Sequence, residues 1–469
     1  MDHRLAVRHT WHRVAQISIR ILTMKLKKKR VLIIGLGLSG RAAASFLLKR
    51  QAYVWGVDDN LELLKNHQEI KDLITLGLVA RHEAEKIEIQ DFDFIVVSPG
   101  VPPSNPYYIQ ARQAGIEIVG EVELAARFIN QPLLAITGTN GKTTTTLLVA
   151  HVLNASGKAA RALGNLGAPL TAELDALTVG AEEDILVAEL SSFQLETLQS
   201  AVIDAGVVLN ITPDHLDRYP DLQAYAATKL HLKNCLKPKG NLYVYEAVYN
   251  EYKKLLGDFK PLTYGYSSSC NFYLDHQFIY GKGQDPYPLP LAYQGVKNHD
   301  VENMLAAYAL CKERGVTSEQ FFNALSAFKK PAHRLEFVRS FKEIAYYDDS
   351  KGTNVDAVIR AVTSLKGEII LIAGGVDKGA AYTPWIKAFA GHVKYVFAIG
   401  QAAIKIKNDL ASSLPVEERP TLEAAIKDAT ALAKPGQVVL LSPGCSSFDM
   451  FRDYVHRGEE FKRIANTLE

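Results

Sequence analysis

Residues Ile136–Thr144 read ITGTNGKTT, between an apolar run, Leu133-Leu134-Ala135, and a helical pattern, TTTTLLVAHVL. A strand, a glycine-rich turn and a Lys-Thr pair opening a helix make a cradle for a triphosphate. The glycines let backbone N–H groups approach phosphate oxygens, and the helix N-terminus adds the positive end of its dipole. In such a loop Lys142 reaches the β- and γ-phosphates and the Thr143 hydroxyl binds Mg²⁺. Gly138, Thr139, Asn140, Gly141, Lys142, Thr143 and Thr144 are therefore the expected ATP contacts. The strict pattern wants a further glycine five positions before Gly141, where Ile136 stands, so this is a variant loop. The blander alternative is a helix cap in a Gly/Thr-rich turn; the flanking strand and helix favour the phosphate loop.

Other residues sit where parallel sheets place chemistry. Gly35, Gly37 and Gly40 form a G-x-G-x-x-G after an apolar run, and Asp58 closes the next strand pattern. This is a fingerprint for a ligand bearing a diphosphate, with the acid near a ribose hydroxyl. A turn needed only for helix–strand packing is its alternative. Glu189 ends DILVAEL, where a carboxylate can hold Mg²⁺ opposite a phosphate loop or simply cap a helix. His215, between Asp214 and Asp217 in TPDHLDRY, is a metal ligand or a loop residue. Lys229, in YAATKLHLK, is on composition an unremarkable helical lysine. Arg334, in HRLE, can swing onto a γ-phosphate as arginine fingers do, although surface arginines are commoner. DDSKGTN offers Asp349, Lys351 and Thr353; GGVDKG offers Lys378; SPGCSSF offers Ser447. All three segments end predicted strands, so they face one crevice suited to an anionic small molecule.

The elements that must position these groups are strand–turn–helix units. VLIIGLGLSGRAAASFLLKR (31–50) opens the first, with YVWGVDD and FDFIVVSPG as its next strands. The second begins near Glu121 with EVELAARF and includes strands over 184–190 and 205–212. From Asn241 to Tyr293 the pattern predicts short antiparallel strands. Lys329-Lys330-Pro331 reads as a hinge, followed by strands over 368–375, 395–400 and 437–444. The coarse prediction is α/β, with three units and mostly parallel sheets, in line with a length of 469 residues at ~150 residues per domain.

Composition narrows the function. A hydrophobic content of 48% and a charged content of 22% are those of a soluble globular protein, and no apolar run reaches membrane-spanning length. Cys235, Cys270, Cys311 and Cys445 form no C-x-x-C pair, which fits a reducing cytoplasm and no disulfide scaffold or zinc knuckle. Residues 1–30 hold nine Lys/Arg and one acid, a net +8. The chain totals +2, so the remainder carries −6 and nucleic-acid binding has no basic face to rest on. Residues 1–23 are Arg-rich and nearly acid-free, like an organelle transit peptide; because Met24 and KLKKKR lead straight into the first strand, an extension upstream of the fold is the favoured reading.

Taken in order, GLGLSG, SPG (98–100), GTNGKTT, GNLG (164–167), ELSSFQLE, NITPDHLDRY, YAATKL, NHDVEN (298–303), AHRLE, DDSKGTN, GGVDKG and SPGCSSFDMF resemble the motif series of the Mur ligase family. These are ATP-dependent amino-acid-adding enzymes of peptidoglycan synthesis, and the resemblance spans residues 31 to about 465. It implies three domains after the extension at 1–23: a Rossmann-like UDP-substrate-binding domain (24–120), a P-loop ATPase-like domain (121–331) and a Rossmann-like amino-acid-binding domain (332–469). It implies a cytoplasmic monomer, with no nucleic-acid or membrane partner, acting on ATP, UDP-N-acetylmuramoyl-L-alanine and D-glutamate. The first domain then holds UDP rather than NAD, through Leu38, Ser39, Asp58 and Gly100, while Asn165 and His215 meet the muramoyl part. Lys142 and Thr143 hold ATP and one Mg²⁺; Glu189, His215 and a carbamylated Lys229 hold a second. Asn303, Arg334 and Asp349 match nucleotide contacts, and Thr353, Lys378, Ser447 and Tyr454 match the D-glutamate pocket.

The chain departs from the family pattern at three places. His299-Asp300 replaces a common His-Asn, Tyr454 replaces a common Phe, and Asp58-Asp59-Asn60 replaces an Asp-Thr-Arg run, which removes an arginine near the UDP end. The implied reaction joins acceptor carboxylate to amine through an acyl phosphate. Other classes considered are an NAD-dependent oxidoreductase, a non-catalytic nucleotide-binding regulator, and a sister ligase or folylpolyglutamate synthetase; DDSKGTN and SPGCSSF favour D-glutamate.

Overall fold

The computed structural model describes residues 26–176 and 183–469; the extension expected at 1–23 lies outside the described residues. Three sheets organise the rest. The first holds β1 (Arg30–Ile34), β2 (Tyr53–Asp58), β3 (Val79–His82), β4 (Phe94–Val97) and β5 (Glu117–Gly120), all parallel, in the order β3-β2-β1-β4-β5. Its apolar strands are buried on both faces, so alternate residues feed two cores. Val31, Ile33, Phe94 and Val96 enter one; Leu32, Ile34, Ile95 and Val97 enter the other. That is why these strands read as unbroken hydrophobic runs.

The second sheet holds β6 (Leu133–Thr137), β7 (Ala160–Gly164), β8 (Ile185–Glu189), β9 (Ile203–Val208), β10 (Leu236–Tyr245), β11 (Leu262–Gly265), β12 (Phe272–Leu274), β13 (Phe278–Gly281) and β14 (Tyr287–Pro288). Its order is β14-β13-β12-β11-β10-β9-β6-β8-β7. Here the expectation for Asn241–Tyr293 needs correction. β10 and β11 pair parallel with their neighbours, joined by a helix over Glu246–Leu256; only β12, β13 and β14 are antiparallel. Tyrosines and turn residues suit either pairing, and the intervening helix is what permits the parallel crossover.

The third sheet holds β15 (Glu336–Phe341), β16 (Ile344–Asp348), β17 (Ile369–Gly374), β18 (Val393–Ile399), β19 (Val416–Arg419) and β20 (Val438–Leu441), in the order β15-β16-β20-β17-β18-β19. β15 is antiparallel to β16 and the others run parallel. Again alternate residues part: Ile369, Leu371 and Leu440 face one core, Ile370, Ile372 and Leu441 the other.

The chain forms two compact units. Of the described residues, one comprises those up to Gly138 with those of Thr145–Leu209 and Ala227–Ala327; the other comprises Thr139–Thr144, Asn210–Ala226 and Phe328–Glu469. Within the first unit the helix Leu38–Lys49 is fastened to the helix Leu170–Ala176. Asp175 bonds both Arg50 (2.7 Å) and Lys49 (3.0 Å), and Arg50 lies over the Phe46 ring. No helix among the described residues is long and apolar enough to cross a membrane.

Candidate active site

In the first unit, strand order reverses between β1 and β4, and the glycine turn leaves β1 there. Gly35 has φ +85°, and a Cβ on Gly40 would lie 1.9 Å from the Gly35 carbonyl, so both positions require glycine. Ser98, just past β4, donates its hydroxyl to the Gly35 carbonyl at 2.7 Å. The helix Leu38–Lys49 starts at Gly37 with no side-chain cap; Leu38 and Gly100 are exposed and Ser39 half-buried. Asp58 is buried, and its oxygens accept backbone N–H groups from Leu36 (2.6 Å) and Asn60 (2.9 Å). It thereby braces the glycine turn. Asn60 caps the helix Leu61–Asn66 through Leu63 N–H.

Glu189 ends β8 in register with Ile136 of β6 and is 2% exposed. Asn165 holds it twice: its side-chain amide donates to Glu189 Oε1 (2.8 Å) and its backbone N–H to the Glu189 carbonyl (2.9 Å). Gly164 has φ +100°, and a Cβ there would stand 2.5 Å from the same carbonyl. Lys229, in the helix Leu222–Leu230, is 1% exposed and donates Nζ to the Gly138 carbonyl at 2.8 Å. The helical pattern did not reveal this burial, which costs an ammonium several kcal/mol unless it is partnered, as it is here by the Gly138 carbonyl. Asn303 is buried in the helix His299–Glu313, which Asn298 caps.

In the second unit the phosphate loop is held by residues that the sequence reading passed over. Asn210 brackets Asn140, accepting its N–H (2.8 Å) and donating to its carbonyl (2.9 Å). Thr139 N–H donates to the Asn210 carbonyl, and Thr212 N–H to Thr139 Oγ1 (3.0 Å). Gly141 has φ +88°, Thr143 is buried, Thr144 is half-buried, and Lys142 Nζ curls back onto the Thr139 carbonyl at 2.8 Å.

His215 has φ +56°, and its N–H bonds Asp214 Oδ1. Asp214 is itself buried, accepting from Lys378 Nζ (3.1 Å) and Asn354 Nδ2 (3.2 Å). Burial pushes its carboxyl up, but Lys378, His215 and Asn354 outweigh that and hold it below the ordinary carboxylate value. Asn354 also caps the helix Val355–Ser364 and exchanges hydrogen bonds with the Asn140 side chain (3.0 and 3.4 Å).

Asp349, Lys378 and Ser447 follow β16, β17 and β20, which are adjacent, so the expected crevice is one sheet edge. Burial raises Asp349 to about 7, against Ser442, Arg334 and Leu335 N–H, which lower it. Arg334 sits between two left-handed residues, His333 (φ +60°) and Leu335 (φ +49°). The turn is held from below, with His333 Nδ1 2.6 Å from the fully buried Asp348. Ser447 is buried and Thr353 half-buried. Tyr454 opens the helix Tyr454–Asn466, and its hydroxyl accepts from Lys351 Nζ at 3.1 Å.

Arg457 is the residue with no sequence signal at all. It is 1% exposed and clips the loops after β16, β17 and β20 together, bonding the Ser350, Gly374 and Cys445 carbonyls and the Ser350 hydroxyl. Burial lowers it to about 10.

Among the described residues, His333, Glu336 and Asp348 offer three ligand atoms within 4.8 Å of one another, a grouping able by geometry to hold a divalent cation. Internal bonds also satisfy it: His333 N–H donates to Glu336, which Lys462 neutralises. The expected metal residues are a different set. Thr143 and Glu189 are buried hard-oxygen donors of the kind Mg²⁺ takes; His215 is half-buried and offers an imidazole nitrogen instead, and Lys229 fits only as an anion.

Three family profiles match along the chain: a Mur ligase MurD-like N-terminal domain over residues 29–120, a Mur ligase middle domain over 136–311, and a Mur ligase glutamate ligase domain over 333–445. The UDP-N-acetylmuramoylalanine–D-glutamate ligase of Protochlamydia amoebophila is 52% identical over 94% of this chain and 98% of its own length. Those of Trichlorobacter lovleyi and Chlamydia caviae are 37% and 35% identical, over 93% and 95% of this chain and 98% and 99% of theirs. Among solved structures, MurF ligase from Thermotoga maritima in complex with ADP superposes with a TM-score of 0.60 at 15% identity, covering 95% of this chain and all of that one. UDP-N-acetylmuramate-alanine ligase MurC from the same organism gives 0.58 at 21%, covering 94% and 99%. These likenesses establish a three-domain α/β architecture. The chain belongs to the Mur ligase family, among its UDP-N-acetylmuramoylalanine–D-glutamate ligases.

Proposed function

We propose that this chain is an ATP-dependent ligase that adds D-glutamate to UDP-N-acetylmuramoyl-L-alanine, giving ADP and phosphate, in cytoplasmic peptidoglycan precursor synthesis. The observation that carries the reading is 52% identity, over 94% of the chain, to a relative of that name. Residues 24–120 form a Rossmann-like UDP-substrate domain; its support is the parallel β3-β2-β1-β4-β5 order, with the glycine turn at the switch point. Residues 121–331 form a P-loop ATPase-like domain and 332–469 a Rossmann-like amino-acid domain. The enzyme acts as a monomer, and its four free, buried cysteines suit a reducing compartment.

The L-alanyl carboxylate attacks the γ-phosphorus of ATP, ADP leaves, and an acyl phosphate forms. The D-glutamate amine then adds to the acyl carbon, and the tetrahedral intermediate expels phosphate. Carboxylate and triphosphate repel each other, so the site's first task is cationic. Lys142 and Arg334 carry that charge, and the backbone N–H groups of Gly138–Thr144 cradle the phosphates. Asn165 and His215 orient the muramoyl part; Leu38, Ser39, Asp58 and Gly100 hold UDP; Asn303 and Asp349 hold the nucleotide. Lys378, Thr353, Ser447 and Tyr454 receive D-glutamate. Thr143, Glu189, His215 and a carbamylated Lys229 would hold two Mg²⁺ ions, which supply positive charge when bound. Carbamylation joins the neutral Lys229 amine to CO₂ with loss of a proton.

The test is a phosphate-release screen across UDP-muramoyl acceptors and D- and L-amino acids. Release is expected only with UDP-N-acetylmuramoyl-L-alanine and D-glutamate together. Release with another amino acid reassigns the enzyme to a sister activity.

A further inference from the structure

The phosphate loop and Lys378 are joined by an unbroken polar chain. Asn210 brackets the Asn140 backbone, the Asn140 side chain pairs with Asn354, Asn354 donates to Asp214 Oδ2, and Asp214 Oδ1 accepts from Lys378. Asn354 is 6% exposed, and so is Asp214. One buried carboxylate thus divides its two oxygens between the amide that touches the phosphate loop and the ammonium at the sheet edge. Lys378 has three N–H donors and no fixed plane, so it needs an anchor to keep two donors aimed at a ligand. Asp214 is that anchor.

We infer that Asp214 is a positioning residue that aims Lys378 at the amino-acid substrate and, through Asn354, links that aim to the phosphate loop. The inference rests on the proposed function. An arrangement of this kind makes nucleotide and amino-acid binding interdependent, because a shift of Asn140 on binding phosphate moves Asn354, and Asn354 shares a carboxylate with Lys378. Such coupling is reciprocal.

Two variants test it by steady-state kinetics of phosphate release. Asp214→Asn keeps the shape and removes the charge that anchors Lys378. Losing one charge-assisted hydrogen bond is expected to raise the KM for D-glutamate by about tenfold or more, with a smaller change in kcat. Asn354→Asp keeps the oxygen that caps the helix through Ala357 N–H but replaces the donating amide with a second carboxylate facing Asp214. It is expected to raise the KM for both D-glutamate and ATP, because the residue lies between the two sites. A folding defect lowers the active fraction, and so kcat, but leaves KM where it was, so it cannot imitate this result. A D-glutamate KM within about twofold of the native value in Asp214→Asn overturns the inference. So does Asn354→Asp moving only one of the two KM values. Failure of the native protein to release phosphate with D-glutamate is visible in its own arm and overturns the proposed function instead.

Discussion

The two lysines of the proposed machinery, Lys142 and Lys229, differ in burial. Lys142 is half-buried and reaches back over its loop; Lys229 is enclosed. Under the proposed function Lys142→Ala is expected to reduce turnover by ~10²–10³-fold or more, while leaving the melting temperature near native, because the half-buried side chain lies over its own loop rather than in the core. Near-native turnover in a folded variant would remove it from the machinery. For Lys229 the sharper measurement is chemical. Mass spectrometry under CO₂-preserving conditions is expected to find an added CO₂ on this residue. Lys229→Ala should be nearly inactive, insensitive to bicarbonate and partly restored by acetate or formate, which return an anion to the vacated space. A fully active enzyme with an unmodified amine would discard the assignment.

At the scale of elements, the turn His333–Leu335 is held in two left-handed conformations that non-glycine residues rarely adopt. Its anchor is the His333–Asp348 pair, packed against Gly458 of the last helix. A Cβ on Gly458 would lie 2.1 Å from His333 Nδ1 and 2.8 Å from Asp348 Oδ2. Helix propensity alone says Gly458→Ala should stabilise by ~1 kcal/mol. The contact says the opposite: a methyl group in a filled core costs ~1–3 kcal/mol. The expected result is a lower melting temperature together with reduced kcat, as the turn carrying Arg334 is displaced. A stabilised, fully active variant would show that the turn does not depend on the pair.

At the scale of the molecule, Glu121, which follows β5 directly, ties the end of the first sheet to the helix Leu170–Ala176. It is 1% exposed, and its Oε1 accepts both the N–H (2.6 Å) and the hydroxyl (2.7 Å) of Thr171. Burial raises its carboxyl to about 7, against the Thr171 bonds. The folded state therefore keeps a proton that the unfolded chain releases near the ordinary glutamate value of ~4.3. Below that pH the group is neutral in both states and costs nothing. As pH rises towards about 7 the unfolded state gains, so folding stability falls; above it the loss is complete. Glu121→Gln has no such titration. Its melting temperature relative to the native protein is expected to improve as pH rises from the ordinary glutamate value of ~4.3 towards about 7 and to level off above that. A pH-independent difference between the two would show that Glu121 is ionised in the fold.

Much of the site was legible because its motifs are local. The G-x-G-x-x-G turn, the phosphate loop, Glu189 at a strand end and the DDSKGTN, GGVDKG and SPGCSSF segments are each a few contiguous residues whose chemistry follows from backbone geometry at strand ends. The apolar runs of β1, β4, β17 and β20 likewise announce strands buried on both faces. Strand direction after Asn241 was not legible, because short tyrosine-rich segments fit either pairing. Nor was the burial of Lys229 and Arg457, since a helix pattern does not say which charged residue turns inward. Asp214 and Asn354 stand inside motifs, yet their roles come from partners more than a hundred residues away in the chain. What the sequence determined by itself was which chemistry each strand end offers. Which side chains hold those ends together depended on long-range packing, because a buried polar group is fixed by whichever distant donor or acceptor the fold brings to it.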